Sequence, residues 1–184
     1  MIRGIHYKLK KFYLKKRYKS GILLFKNKFF SDNRGIFIKL FSENELIKHF
    51  KGKICQTNFV KTKKIGTFRG FHYQVGQYAE QKLITCIKGK IEVVIIDCNK
   101  KSKDYLKKYK FLLSQKNNHF LIVPKNFANG YLVLQKNSEV IYFSNKNYNP
   151  KYERIINPYE PKLKIKWRIK KLILSKKDKL SKFL

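Results

Sequence analysis

Acidic residues are scarce in this chain. Eleven Asp and Glu stand against 44 Lys and Arg in 184 residues, a formal net charge of +33. Two causes can produce such a balance. One is a basic surface for nucleic acid or anionic membrane; the other is drift in a genome of biased base composition. Alanine is reduced to Ala79 and Ala128, with four Pro and nine Gly, while Lys, Ile, Asn, Phe and Tyr abound. The depleted types have GC-rich codons and the enriched types AT-rich ones. The lysines are also spread along the whole chain instead of gathering in one segment. Drift is therefore the reading, with weak non-specific attraction to polyanions as a by-product and no specific nucleic-acid partner.

Cysteine is equally sparse. Cys55, Cys86 and Cys98 are odd in number, widely spaced and lack a C-x-x-C pair, which excludes a paired-cysteine zinc site and a disulfide framework. Reduced thiols suit the cytosol. Long apolar runs are missing too: Ile91–Ile96 is strand-sized and carries Glu92, far from the roughly 18–20 residues that cross a bilayer as a helix. No apolar core of secretory length stands near the N-terminus. A cytoplasmic protein with no membrane insertion is expected.

What is present favours strands. Hydrophobic residues reach 43% and aromatics 15%, enough apolar volume for one cored domain, and Phe, Tyr and Ile suit a pleated surface. Residues 1–20, with eight Lys or Arg and no acid, read as a basic extension, either a loosely ordered arm or a short amphipathic helix. Residues 21–184 read as a single domain. Strand-like runs fall at 21–30, 36–41, Cys55–Lys61, around His72, and at Lys82–Ile87, Lys90–Asp97, Phe111–Ser114, His119–Val123, Gly130–Leu134 and Glu139–Ser144, with turn residues between them. A short helix is expected at Ser42–Phe50, where Ser42 and Glu45 form a capping-box pattern, and another near Ser175–Phe183. Many short strands with little helix predict a mainly β sandwich or barrel with short peripheral helices.

The richest stretch chemically is Gly66–Gln74, GTFRGFHYQ, followed by Gln81-Lys82-Leu83. Aromatics flank His72, Arg69 lies three residues before it and Lys82 ten after. Burial and nearby cations both disfavour the imidazolium, and a neutral imidazole can serve as a base. A hydrogen-bonded core histidine is the alternative that this stretch leaves open.

The ordered set of motifs goes further. Arg69-Gly70-Phe71-His72-Tyr73-Gln74, Lys82-Leu83, Gly89-Lys90-Ile91 and Val94–Asp97 resemble the central signature of the dTDP-4-dehydrorhamnose 3,5-epimerase family. Asp32-Asn33-Arg34-Gly35 resembles its D-x-R-G turn and Gln56-Thr57-Asn58 its Q-x-N strand. Val123–Gly130 resembles I-P-x-G-F-A-H-G, Glu139–Tyr142 and Tyr148–Glu153 resemble E-x-x-Y and Y-x-P-x-x-E, and Leu174–Asp178 resembles L-S-x-x-D. The resemblance spans roughly residues 21–180 in order. It implies a cupin-type double-stranded β-helix (jelly roll), a homodimer, no cofactor, no metal, and a dTDP-linked 4-keto-6-deoxyhexose as substrate in rhamnose-type polysaccharide synthesis.

Carried over position by position, the resemblance makes His72 the base that removes a proton beside the ketone. Asp178 orients it, Tyr142 returns a proton from the opposite face, and Lys82, with Arg69, stabilises the enolate oxygen. Arg34, Gln56, Asn58, Asn129, Tyr148 and Glu153 would hold sugar, base or diphosphate. Three positions depart from the pattern: Asn129 for histidine, Lys39 for glutamate and Asn126 for glycine. They leave open an enzyme that acts at one carbon or on another nucleotide sugar.

The rivals are fewer. A metal cupin needs a second histidine near His72, and positions 74 and 129 are Gln74 and Asn129. A single histidine in Arg69–Gln74 also disfavours a 3,4-ketoisomerase on the same scaffold. No G-x-G-x-x-G follows a strand, which disfavours a nicotinamide or flavin enzyme. The alternative from another class is a basic binding protein for nucleic acid or anionic membrane on a catalytically idle cupin scaffold.

Overall fold

The computed structural model describes residues 12–184. Its strands are β1 (Phe12–Arg17), β2 (Leu23–Asn27), β3 (Phe29–Asp32) and β4 (Gly35–Ile38), then, after the one-turn helix α1 (Glu43–Leu46), β5 (Gln56–Thr62) and β6 (Phe68–Gln74). There follow β7 (Lys82–Lys88), β8 (Lys90–Asp97), β9 (Lys108–Ser114), β10 (His119–Val123), β11 (Phe127–Val133), β12 (Ser138–Ser144), β13 (Glu153–Ile155) and the short helix α2 (Lys176–Lys179). Two sheets form a jelly roll. One runs β1-β2-β10-β7-β12-β5 and the other β13-β6-β11-β8-β9, while β3 and β4 make a separate hairpin.

Apolar side chains organise these sheets into three layers. Ile84, Ile91, Val93, Ile95, Leu113, Leu121, Val133 and Val140 fill the space between the sheets. Phe25, Leu46, Phe50, Leu83, Phe120 and Ile122 cover the outer face of the six-stranded sheet. Phe68, Phe71, Val94, Ile96, Leu132 and Leu163 cover the outer face of the other, with Trp167 laid against Phe68 at 4.9 Å between ring centroids. Strand β8 therefore buries both faces, which is why its apolar run is nearly continuous. Arg168 pins the C-terminal segment to that sheet through Glu92, Nε to Oε1 at 2.7 Å.

The expectation for the first twenty residues changes in part. Residues 12–17 are the edge strand β1, paired antiparallel with β2, and not an arm or amphipathic helix. Only Phe12 of β1 is buried, so the strand shows no alternation to read. Residues 1–11 lie outside the described residues. The helix expected at Ser42–Phe50 is a single turn, and Ser42 makes no side-chain capping bond. The strand expectations at Lys90–Asp97 and His119–Val123 match β8 and β10 residue for residue.

Two glycines set the distance between β6 and β11. A Cβ on Gly70 would lie 2.5 Å from the Gly130 Cα, and one on Gly130 would lie 2.5 Å from Phe68 Cζ. Gly70 also sits at φ +128°, where side chains are strained. The two backbones can approach only without side chains here, and that approach sets Asn129 opposite His72 in the strand register.

Candidate active site

The mouth of the sandwich holds two adjoining chambers of about 300 and 430 Å³. Among the described residues, three line both: His72, Lys82 and Tyr142. They come from both sheets. His72 is on β6 of the five-stranded sheet, whereas Lys82 begins β7 and Tyr142 lies on β12, its neighbour in the other sheet. The first chamber continues along Gln56, Gln74, Lys146, Tyr148 and Glu153. The second continues along Val60, Arg69, Ile84, Asn129, Tyr131 and Asp178.

Local sequence explains how Asp178 reaches the site. Backbone hydrogen bonds tie residue 173 to β6: Phe68 N–H donates to the Ile173 carbonyl at 3.0 Å, and Ile173 N–H to Gly66 at 2.9 Å. Two residues on, Ser175 caps α2, its hydroxyl accepting from Asp178 N–H at 3.1 Å. In a capping box the acid at this helix position reaches back to the cap. Here the Asp178 carboxylate turns to His72 instead, with Oδ1 at 2.7 Å from Nε2. Burial works against its charge, but hydrogen bonds from His72 and Ser175, with the positive groups nearby, outweigh burial and hold the carboxyl below its ordinary pKa. Asp178 is therefore an anion at neutral pH.

A second carboxylate meets the same ring. Glu153 Oε1 lies 3.2 Å from His72 Nδ1. Its other oxygen accepts from Tyr148 Oη at 3.0 Å and from the Lys177 ammonium. The sequence reading set cations beside His72; the groups in contact with its ring nitrogens are these two carboxylates, supplied by chain segments 81 and 106 residues further on, while Arg69 donates from Nε to the Thr62 hydroxyl at 3.1 Å.

Lys82 is held by a buried partner, Glu80, at 2.8 Å. The Tyr142 phenol is raised by burial, with the charge of Arg69 pulling the other way. Tyr131, deeper in the second chamber, is pushed up to about 12 by burial. Both phenols thus keep their protons well past neutrality.

The remaining sequence candidates divide. Asn129 lines the second chamber and donates from Nδ2 to the His72 carbonyl at 3.3 Å. Tyr148 lines the first, half-exposed. Gln56 supports it: Oε1 accepts from Tyr148 N–H at 3.0 Å, and Nε2 donates to Asn58 Oδ1 at 3.0 Å. Asn58 stands one step behind, lining neither chamber. Arg34 lies at the tip of the β3–β4 hairpin, clasped by Asp32 with Nη2 to Oδ2 at 2.6 Å, and lines neither chamber. Sequence reasoning missed Glu80, Lys146 and Lys177. Glu80 was findable as one of eleven acids, two residues before Lys82; the two lysines carried no signal among so many.

The family profile described as dTDP-4-dehydrorhamnose 3,5-epimerase matches residues 16–184. The chain belongs to the dTDP-4-dehydrorhamnose 3,5-epimerase family. A dTDP-4-dehydrorhamnose 3,5-epimerase of Shigella flexneri is 34% identical over 159 residues, covering 85% of this chain and 87% of that one. The crystal structure of the Bacillus anthracis epimerase with TDP and PPi bound superposes with a TM-score of 0.89 at 28% identity, over 94% of this chain and 99% of that one. The Legionella pneumophila dTDP-6-deoxy-D-glucose-3,5-epimerase in complex with dTDP-4-keto-L-rhamnose gives 0.87 at 26% identity, over 94% and 92%. Membership of this epimerase family favours an isomerase on a working jelly roll over a binding protein on an idle one. Among the described residues no helix is long and apolar enough to cross a membrane.

Proposed function

We propose that the chain epimerises a dTDP-linked 4-keto-6-deoxyhexose at the carbons flanking its ketone, C3 and C5, without a cofactor. The carrying observation is that, among the described residues, an imidazole, an ammonium and a phenol are the three groups common to both chambers. Removing a proton beside a ketone needs a base, a stabilised enolate oxygen and, for inversion, an acid on the other face. His72 takes the proton. The Lys82 ammonium, oriented by Glu80, carries the charge that grows on the carbonyl oxygen. Tyr142 delivers a proton from the opposite sheet. Asp178 fixes the imidazole tautomer and stabilises the imidazolium as it forms, as a carboxylate partner does for other catalytic histidines.

The nucleotide lies along the first chamber, its base against Tyr148 and its diphosphate near Lys146, while Arg69 faces the sugar from the second. Asn129 offers a neutral amide to the sugar where the family pattern often carries histidine. Arg34, on a hairpin outside both chambers of a single chain, reaches substrate when a second copy brings it there. A homodimer is supported by the exposed Phe59 on edge strand β5 and by Ile36 and Phe37, both more than 60% exposed, on the same hairpin. The three free thiols agree with a cytoplasmic location.

The test is incubation with dTDP- and GDP-linked 4-keto-6-deoxyglucose in heavy water, followed by NMR and mass spectrometry. Deuterium should enter C3 and C5 of the dTDP-linked sugar with inversion. No exchange with either nucleotide sugar overturns the reading.

A further inference from the structure

Asp178 stands on a single helical turn. Helix α2 is four residues long, and a helix that short does not hold its own geometry in water. Its position comes from its two ends. Before Asp178, the chain is fixed by the backbone bonds of Ile173 to β6 and by the Ser175 cap. After Asp178, the anchors are side chains with no place in the chemistry. Asn157 Nδ2 donates to the Ser181 carbonyl at 2.8 Å, and the Ser181 hydroxyl donates to the Asp178 carbonyl at 2.6 Å. Further along, the Glu160 carboxylate accepts from Leu184 N–H at 2.6 Å with one oxygen and from Lys162 N–H at 2.9 Å with the other.

Asn157 and Glu160 are buried, at 7% and 3% exposure, although residues 182–184 lie exposed. A buried polar side chain is costly unless its hydrogen bonds are made, and both of these bond the segment that follows α2. The contacts close a ring. Ile156 and Phe71 exchange backbone hydrogen bonds at 3.0 and 3.4 Å, and Phe71 precedes His72 on β6. Asn157 follows Ile156. Its amide reaches Ser181, Ser181 reaches Asp178, and the Asp178 carboxylate returns to His72 at 2.7 Å.

We propose that Asn157 is a positioning residue for the reaction, tying the turn that carries Asp178 to the strand that carries His72. It lines neither chamber and acts only through Asp178. Shifting a catalytic group by about 1 Å can cost on the order of 10²-fold in rate even when the change is far from the chemistry. This rests on the epimerase reading and extends its machinery to a residue outside both chambers.

The experiment is a double-mutant cycle on deuterium exchange into the dTDP-linked 4-keto sugar. Asn157→Ser keeps an acceptor for Tyr159 N–H, which Asn157 Oδ1 serves at 2.9 Å, but its shorter side chain does not span to Ser181. It should lower kcat about tenfold with KM little changed, the lower end of what full loss of the Asp178 bond costs. In an Asp178→Asn background the same substitution should change kcat by less than about twofold, because the two residues act as a unit. Ser181→Ala, at a partly exposed position, should lower kcat in the same direction by a smaller factor. Equal falls from Asn157→Ser in both backgrounds would mark a role in stability alone and overturn the proposal. So would a natural rate in both Asn157→Ser and Ser181→Ala. A second arm needs no turnover. The His72 Nε2–H proton should resonate far downfield in the natural protein, as a short bond to a carboxylate makes it. It should move upfield in Asn157→Ser and disappear in Asp178→Asn. A resonance that Asn157→Ser leaves in place overturns the proposal, whereas a natural protein that exchanges no deuterium sinks the epimerase reading and leaves this arm to decide.

Discussion

Replacing Asp178 with Asn changes one atom of a buried contact and tests how much the base depends on it. The carboxylate is 5% exposed and bonds His72 Nε2 at 2.7 Å. Hydrogen bonds to charged groups are worth about 1.5–3 kcal/mol, and each 1.36 kcal/mol is a decade in rate. Loss of the charge should therefore lower kcat about 10- to 150-fold. The amide adds a second effect, because its NH2 donates to Nε2 and selects the tautomer with the proton on Nδ1, the nitrogen that should receive one from the sugar. The fall should reach the upper end of that range or pass it, with KM little changed, since the interaction strengthens as the imidazolium forms. Deuterium incorporation measured over the first turnovers provides the rate, and a thermal melt shows that the fold survives. Stability supplies an independent check. The Asp178 pKa is lowered on folding, so its contribution is fully present above the ordinary aspartate value and is lost as pH falls through the folded one. The gap in unfolding free energy between natural protein and variant should be constant near neutrality and close below about pH 4. A variant that exchanges deuterium within twofold of the natural rate would refute the orienting role.

Three further outcomes follow from the same geometry. Lys82→Met should reduce kcat about 10²- to 10³-fold, as loss of an oxyanion donor does elsewhere; a change confined to KM would make Lys82 a binding residue only. Tyr142 is raised above its ordinary value by burial, so the proton-bearing donor form persists to beyond pH 10, and a Tyr142-dependent step below that pH in an ultraviolet titration contradicts the assignment. Gly130→Ala would bring a Cβ to 2.9 Å from the Arg69 carbonyl and 2.5 Å from Phe68, and overpacking of this kind costs about 1–3 kcal/mol; an unshifted denaturation midpoint would show that β6 and β11 part freely.

How much of this was legible in the sequence depended on burial. Strand β8, buried on both faces, stands out as a continuous apolar run ended by Gly89 and a polar loop. Strand β1 does not, because only Phe12 points inward and the rest is solvated lysine, arginine and apolar edge. The three residues of β13 have no pattern of their own; their pairing with β6 places Glu153 opposite Gln74. Capping signals were ambiguous for a related reason: Ser42 and Ser175 are both followed three residues on by an acid, yet only Ser175 makes the bond. His72, Tyr142 and Asp178 were singled out through ordered motifs, whereas Lys177 carried no signal because only the fold brings it to Glu153, 24 residues away in the chain.

The most direct test of a base and an acid on opposite faces is the stereochemical fate of exchanged substrate in Tyr142→Phe. Proton removal by His72 should continue and be answered from the same side, so deuterium should enter C3 and C5 with configuration retained, while His72→Ala shows neither exchange nor inversion. Inverted product formed by Tyr142→Phe at the natural rate would contradict the account.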